Sequence, residues 1–469
     1  MSRFSKSIKK LVLRLLVLAL LIFYFIGFVR LHALPTSTIS EDSLPLPPTK
    51  PRSGAKLHRK VTPVPETAKN TFFLDDPLKT AARLPHVVAH HGALGDIQVQ
   101  QAHQAHFVWR VAEDTSLYST LLPFQRHNHM PNRKYWENKS YFDYYMRQYA
   151  QRKGRSLPYI PQTYMLHDAQ DVQRFRQYLG TAEGQKKAWL FKPSSENIGM
   201  GQGIQIWGPH SRPLQHFENS LKENHMHAEE WKYLLQEYIC NGLLYQGRHK
   251  MDIRMYVLVA SIDPLIVLLQ PGIGRVAAGV YSERNFDNKS AHITNTSKGA
   301  QPISWKEIQQ TVRHHYQTHK EMLEQRLNPN GGVFDPAEHV LNQMKSIAAD
   351  IVEAFEERSF VKGDLSADNG FSYIGYDFYI DNDLDVHILE LNRHIRLQHP
   401  RGLPNRSYEF LSESIDIVKE IHQKQSLGVA VMPLQAMGSF DVVYDEFNDF
   451  RFSYEYQRPV EKSGCIPRV

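Results

Sequence analysis

The alternation of apolar and polar positions changes rhythm several times along this chain. Leu11 to Val29 is an apolar run broken by Arg14 and preceded by Arg3, Lys6, Lys9 and Lys10. A helix over 11–29 would come close to the ~30 Å hydrocarbon thickness of a bilayer. Arg14 lies within one turn of its start, where a long cationic side chain can snorkel to the interface. A cleaved signal peptide is the alternative, but His32-Ala33 is a poor cleavage site. The expectation is therefore an uncleaved signal anchor, single-pass and N-terminal. Residues 30–70 carry Pro35, Pro45, Pro47, Pro48, Pro51, Pro63 and Pro65 among Ser, Thr and Lys. Such a composition buries no core and reads as a semi-extended tether.

Beyond residue 70 the pattern turns globular. Tyr135 to Arg152 is dense in aromatics and charge and predicts a helix, as does Asp168 to Leu179, with the Asp as its cap. Trp189 to Phe191, Ile204 to Trp207 and Leu234 to Ile239 predict short strands. Asp252 to Ala260 predicts a longer one, which should pair with Leu265 to Gln270 across Asp263-Pro264. Arg275 is expected to close the next hairpin. Residues 303–328 and 336–357 read as helices, and Phe440 to Tyr444 and Phe450 to Tyr456 as strand-like runs without an evident role. No repeat of solenoid period is visible.

The chemistry sits on three of these elements. Asp377 to Asn392 is a hairpin pattern, two apolar runs around Asp381-Asn382-Asp383. Asp377 lies on the outgoing strand, and period two puts Glu390 and Asn392 on one face of the return strand. An acid opposite a Glu-x-Asn pair is either a hard-oxygen cage suited to Mg²⁺ or a hairpin with solvated carboxylates. Lys250, Asp252 and Arg254 alternate onto one face of their strand, lining a polar cleft or forming a solvated edge. Lys192 stands at the base of a loop with Gly199, Gly201 and Gly203, whose backbone N–H groups could close over phosphate oxygens. This loop is no P-loop, since no Gly-Lys-Ser/Thr follows.

Composition narrows the field only a little. At 469 residues there is room for two or three domains, and a net charge of +6 falls short of a nucleic-acid-binding signature. Cys240 and Cys465 make no disulfide framework. His86, His90, His91, His103 and His106 match no closed zinc spacing and read as scattered surface histidines.

Taken in order, these segments resemble the tubulin–tyrosine ligase-like family of ATP-grasp enzymes. The matching pieces are Phe191-Lys192-Pro193, Gly201-Gln202-Gly203-Ile204, Gln236-Glu237-Tyr238-Ile239, Lys250 to Leu258, Arg275, His292-Ile293-Thr294-Asn295, and Gly375 to Phe378 with Glu390-Leu391-Asn392. They cover about residues 130–395. The resemblance implies an α+β or α/β ATP-grasp fold with mixed antiparallel sheets, behind the transmembrane helix and Pro-rich linker. Its layout would be a basic N-terminus 1–10, anchor 11–29, linker 30–70, N-terminal domain 71–155, central ATP-grasp domain 156–240, C-terminal ATP-grasp domain 241–425 and an extension 426–469.

The resemblance also implies roles. Lys192, Gly201 and Gly203 would hold ATP phosphates. Gln236, Glu237, Tyr238 and Ile239 would form the adenine hinge, with Lys250, Thr294 and Asn295 near the nucleotide. Lys134 is matched loosely to a family lysine. Lys250, Asp252, Arg254 and Arg275 would face the reacting carboxylate and the incoming amino acid. Asp377, Glu390 and Asn392 would bind Mg²⁺.

The implied reaction joins a free amino acid (Glu, Gly or Tyr) to a protein carboxylate through an acyl phosphate, with tubulin one acceptor and no nucleic acid involved. A ligase for small metabolites or peptides and a catalytically silent, membrane-tethered binding module are the alternatives. Two departures stand out. Arg393 to His399 replaces the small residues and proline that often follow Glu-x-Asn, and Glu237 stands where lysine is frequent. Cations before the anchor favour an N-terminus inside, whereas ATP and tubulin are cytosolic and a glycan at the Asn295 sequon would obstruct the site. The expectation is a domain facing an ATP-containing compartment, with topology open.

Overall fold

The computed structural model describes residues 61–75, 84–110, 120–130, 134–193, 203–209, 215–216, 218–219, 233–295, 299–359, 369–392, 406–456 and 458. The 11–29 run, the linker up to residue 60, Gly201, the Arg393–His399 segment and nearly all of the tail beyond Tyr456 lie outside the described residues. Among the described residues no helix is long and apolar enough to cross a membrane. Residues 61–70, read from sequence as tether, contain a 3₁₀ turn at Glu66–Ala68 and bury Val61 and Ala68.

The first sheet is parallel. It is built from β1 (Thr71–Asp75), β2 (Ile97–Gln98), β3 (Phe107–Arg110) and β4 (Arg126–His127), in the order β2-β1-β3-β4, with α1 (Leu84–Ala93) between β1 and β2. Two helices follow, α2 (Lys134–Glu137) and α3 (Lys139–Lys153). The break between them is Asn138, whose side chain accepts from the Ser140 and Tyr141 backbone N–H groups and so caps α3.

The second sheet combines β5 (Thr163–Met165), β6 (Ala188–Pro193), β7 (Gln205–Trp207) and β8 (Tyr233–Tyr238), all antiparallel, in the order β5-β8-β6-β7. Helix α4 (Ala169–Leu179) covers it and starts at Asp168, which accepts from Gln170 and Asp171 N–H as its sequence predicts. Tyr164, Phe175, Trp189, Phe191 and Trp207 form the core between them.

The third sheet is the largest. It contains β9 (Leu244–Tyr245), β10 (His249–Ile262), β11 (Leu265–Val276), β12 (Gln301–Ile303), β13 (Ser372–Ile380), β14 (Val386–Asn392), β15 (Asp441–Asp445) and β16 (Phe450–Arg451), with the main order β14-β13-β10-β11-β15-β16. The helices of this region are α5 (Lys289–His292), α6 (Trp305–Thr318), α7 (Lys320–Leu327), α8 (Pro336–Ser359) and α9 (Arg406–Leu427). Met251, Ile253, Met255, Val257 and Val259 of β10 pack with α6 and α8, while Tyr256, Leu258 and Ala260 pack with α9 and the first sheet. Both faces of β10 are thus covered, which explains a run that reads as almost wholly apolar.

Four expectations need correction. The single helix expected over Tyr135 to Arg152 is two, α2 and α3, because the Asn138 cap starts a new one. Arg275 closes no hairpin: it lies within β11, opposite Asp252 on β10. The helix expected over 303–328 is two helices. Its start is fixed by a Ser304/Glu307 capping box, and it breaks at His319, whose φ of −115° and ψ of 29° leave the helical region. Of the histidines read as surface residues, His103 is exposed, but His90 and His91 are buried where α1 meets α9 and the first sheet. Periodicity misses this because single histidines on short elements leave no pattern. Cys240, just after β8, is buried.

Candidate active site

Alternation along β6 sends Trp189 and Phe191 into the aromatic core and Lys192 to the opposite face. Lys192 Nζ donates to Gln236 Oε1 at 2.6 Å, and Gln236 Nε2 donates to Thr163 Oγ1 at 3.2 Å, so one polar thread crosses β6, β8 and β5. Burial pulls the Lys192 ammonium down to about 8, against the opposing pull of Glu390. The next residue on β8 points away, as period two requires: Glu237 pairs with Lys187 at 2.6 Å. Tyr238 returns to the site side, its hydroxyl 2.7 Å from His292 Nδ1.

The third sheet supplies a denser network. Arg275 grips Asp252 with Nε and Nη2 at 2.6 and 2.7 Å and reaches Asp377 Oδ2 with the same Nη2 at 2.8 Å. Arg254 holds Asp377 through Nε and through Nη2 at 2.8 Å. Thr294 donates its hydroxyl proton to Asp252, and Asn392 Nδ2 donates to Asp377 Oδ2 at 3.0 Å. A Cβ on Gly375 would stand 2.7 Å from Arg254 Cδ, so glycine here is what lets the arginine cross β13 to Asp377. Lys250 Nζ lies 3.8 Å from the Tyr238 ring centroid and 4.5 Å from that of Tyr379. Burial pulls its ammonium down to about 7.

The two sheets meet across a cleft. Thr163, Lys192, Leu234 and Gln236 line it from the second sheet, Leu389, Glu390 and Leu391 from β14, and Trp136, Lys139 and Phe142 from α2 and α3. Lys139 Nζ stands 3.3 Å from Glu390 Oε2. Burial pushes the Glu390 carboxyl up, but Lys139, Lys192, Arg275 and Arg254 together outweigh it and hold the group well below the usual carboxylate range. Its side chain is 29 % exposed and opens toward the cleft.

Most of the residues singled out from sequence therefore converge: Lys192, Gln236, Tyr238, Lys250, Asp252, Arg254, Arg275, Thr294, Asp377, Glu390 and Asn392. Glu237 does not join them. Ile239 follows the end of β8 half-buried, and Asn295, also half-buried, directly follows Thr294. Gly203, at φ +71°, stands at the edge of the glycine loop against the Pro193 ring. Lys139, Thr163, Tyr379 and His292 are the residues that the role assignments overlook. The signal for Lys139 is the Asn138 cap, which starts α3 one residue before it. Tyr379 and His292 carry no signal of their own until the strands are paired.

A sequence model described as the tubulin-tyrosine ligase family matches residues 117–397, more than half of the chain and every residue of the site from Lys139 to Asn392. The chain belongs to the tubulin-tyrosine ligase family. It is 28% identical over 229 residues to human "Probable tubulin polyglutamylase TTLL2", covering 47% of this chain and 35% of that protein. It is 26% identical over 307 residues to "Protein polyglycylase TTLL10" of Macaca fascicularis, covering 63% of this chain and 47% of that protein. The chain thus spans less than half the length of either relative. Its fold is similar to the C-terminal domain of Pby1 from K. lactis, described as an ATP-grasp enzyme interacting with the mRNA decapping enzyme Dcp2. The TM-score is 0.54 at 17% identity, covering 80% of this chain and 99% of that one. This mixed α/β, ATP-grasp-like fold places β6 and β14 on the two sides of the cleft.

Among the described residues, no three His, Cys, Asp or Glu side chains form a group that could hold a metal. Asp377 and Glu390 offer instead two carboxylates, hard oxygen donors that suit Mg²⁺ with water and phosphate completing its shell, and Asn392 would add its amide oxygen on turning the Nδ2 that faces both carboxylates. The three are not equally available. Asp377 is already held by both arginines and the Asn392 amide, whereas Glu390 faces the cleft, 3.4 Å from Asn392 Nδ2.

Proposed function

We propose that this tubulin-tyrosine ligase family chain is an ATP- and Mg²⁺-dependent ligase that adds glutamate, glycine or tyrosine to a protein carboxylate, with tubulin a candidate acceptor. The observation that carries the reading is the cleft itself, where Lys192 of one sheet and Glu390 of the other line a single space beneath Lys139. The relatives' names, a probable polyglutamylase and a polyglycylase, support amino-acid addition.

Chemistry at a carboxylate needs activation, because its leaving group is oxide. Phosphoryl transfer from ATP to the carboxylate oxygen releases ADP and gives an acyl phosphate; the α-amine of the amino acid attacks its carbonyl carbon, and the tetrahedral oxyanion collapses to the amide with loss of inorganic phosphate and the amine proton. Lys192 and Lys139 neutralise phosphate charge from the two sides of the cleft. Arg254 and Arg275, fixed by Asp377 and Asp252, offer preorganised positive charge where the oxyanion forms. Lys250 adds a further cation whose charge is poised near neutral pH. Asp377, Glu390 and Asn392 would hold Mg²⁺, which supplies Lewis-acid charge neutralisation at the phosphates. In the same reading the 11–29 run anchors the domain to a membrane through the Pro-rich tether.

Purified protein incubated with ATP, Mg²⁺, radiolabelled glutamate, glycine or tyrosine and candidate acceptors, tubulin included, tests the proposal. Label should appear in protein. Label only in small products would replace the protein acceptor by a metabolite or peptide, and nucleotide binding without ligation would leave a binding module.

A further inference from the structure

His292 lies at the end of α5, outside the carboxylate–arginine network, yet it is tied into the cleft by two ordered hydrogen bonds. Its Nε2 is 2.9 Å from the Asn285 carbonyl oxygen, which only accepts, so Nε2 carries the proton. Nδ1 is then a bare acceptor for the Tyr238 hydroxyl at 2.7 Å. Phe286 stacks on the imidazole at 5.3 Å and 18°, and Tyr281 meets it edge-on at 5.3 Å and 69°. The ring is held from three sides, and the Tyr238 hydroxyl is held by the ring and by a hydrogen bond with the Tyr281 side chain.

Tyr238 in turn carries the Lys250 ammonium over its face at 3.8 Å, with Tyr379 on the other side at 4.5 Å. A cation desolvated between two aromatic faces depends on their placement, since the attraction falls off beyond ~6 Å. We propose that His292 is a positioning residue: by fixing the Tyr238 hydroxyl it sets one wall of the aromatic cage that keeps the Lys250 ammonium aimed at the nucleotide. The proposal rests on the reading of the cleft as an ATP site.

Other groups bear on the same ammonium and enter any pH response. Asp252 from β10 favours its charge and Lys192 from β6 opposes it. Tyr281 and Glu283, from the segment before α5, act on Tyr238. The imidazole itself does not titrate near neutrality, because burial and then the neighbouring Lys250 pull it down to about 4 against the Asn285 bond. Its acceptor nitrogen is therefore available throughout the working range.

The test is ATP binding by calorimetry, with and without Mg²⁺, between pH 6 and 9, on wild type, His292→Ala, Tyr238→Phe and the double variant. Tyr238→Phe keeps the ring and the packing and removes only the hydroxyl, so it answers the question if His292→Ala fails to fold. Each single variant should weaken ATP about 5- to 30-fold, and the double variant no more than the weaker single, because both break one linkage. The pH at which affinity falls should move about half a unit to one unit toward acid, as the ring, without its hydroxyl anchor, shifts off the ammonium. Additive losses, or wild-type affinity and midpoint in Tyr238→Phe, would overturn the role of His292. Lys192→Ala separates the two layers. If wild type binds no ATP, or Lys192→Ala binds it equally well, the nucleotide-site reading fails; if Lys192→Ala loses ATP while Tyr238→Phe does not, the positioning role alone fails.

Discussion

Two buried polar networks in this protein differ in one respect, and the difference separates scaffold from site. The first joins α1, the first sheet and α9. His91 donates Nδ1–H to Asp96 at 2.6 Å and accepts from Trp109 Nε1 at 3.1 Å; Lys419 completes Asp96 at 2.5 Å, and His106 meets His422 at 2.6 Å. Lys419 faces Asp96, the buried Arg126 beside His106 and His422 is held by the Asn369 and Gln425 side chains, and the histidines are neutral, so each charge finds its partner within the protein. The second reaches the cleft through Lys139, Lys192 and Glu390 and continues behind it into the third sheet. In it Lys139, Lys192, Lys250, Arg254 and Arg275 face Asp252, Asp377 and Glu390. A surplus of buried positive charge costs stability unless something neutralises it. The closed network holds elements together, whereas the open one is built to receive a polyanion.

Substitutions break the comparison most strongly. Glu390→Gln should abolish Mg²⁺-dependent ATP turnover. Arg254→Ala should lower ligation on the order of 10²-fold or more, since one preorganised charge is commonly worth that much. The fold should survive, because Asp377 keeps Arg275 and Asn392. Turnover assays beside a thermal melt decide this, and wild-type ligation in either variant would defeat the role assignment.

Acid sharpens it next. Burial depresses His91 and His422, and pulls His106 down to about 3, all from an ordinary value of 6.5. Between pH 6.5 and the depressed folded values the unfolded chain binds more protons, so stability is present above 6.5 and lost as pH falls below it. Denaturant melts from pH 7 to 5 should show a loss on the order of 1–2 kcal/mol per buried imidazole. His91→Phe should flatten that slope while leaving ATP affinity unchanged.

Base gives the smaller and opposite signature. Lys192 and Lys250, at about 8 and 7, lose their charge across the range where the histidines are silent. The stabilisation that ATP confers should shrink from pH 7 to 9, while the unliganded protein gains stability there, because its unfolded chain holds lysine protons up to an ordinary value of 10.5. Melting temperatures with and without ATP would show the two trends crossing, and parallel curves would remove the lysines from the nucleotide site.

The hairpin at 377–392, the long β10–β11 pair, the helix expected over 168–179 and the helical character of 135–152, though not its break at Asn138, were legible because each carries its own periodicity and caps. So were the acid opposite Glu-x-Asn and the Lys250-Asp252-Arg254 face, since strand alternation alone fixes which side chains share a side. Sequence could not show that Arg275 lies opposite Asp252, because that depends on the register after a β-bulge between Arg254 and Tyr256. Nor could it show Lys139 over Glu390, a pair 251 positions apart that only packing of α3 against β14 creates. The histidine network was misread for the same reason: its partners come from three separate elements.

The central claim is that Lys192 and Glu390 act on one bound metal–nucleotide. Electron paramagnetic resonance of Mn²⁺, used in place of Mg²⁺, tests it in a single titration on wild type, Lys192→Ala and Glu390→Gln. A bound-Mn²⁺ signal that appears only with ATP and collapses in both variants is the expected result. A signal that forms without nucleotide, or survives equally in both variants, would place the metal and the phosphates elsewhere.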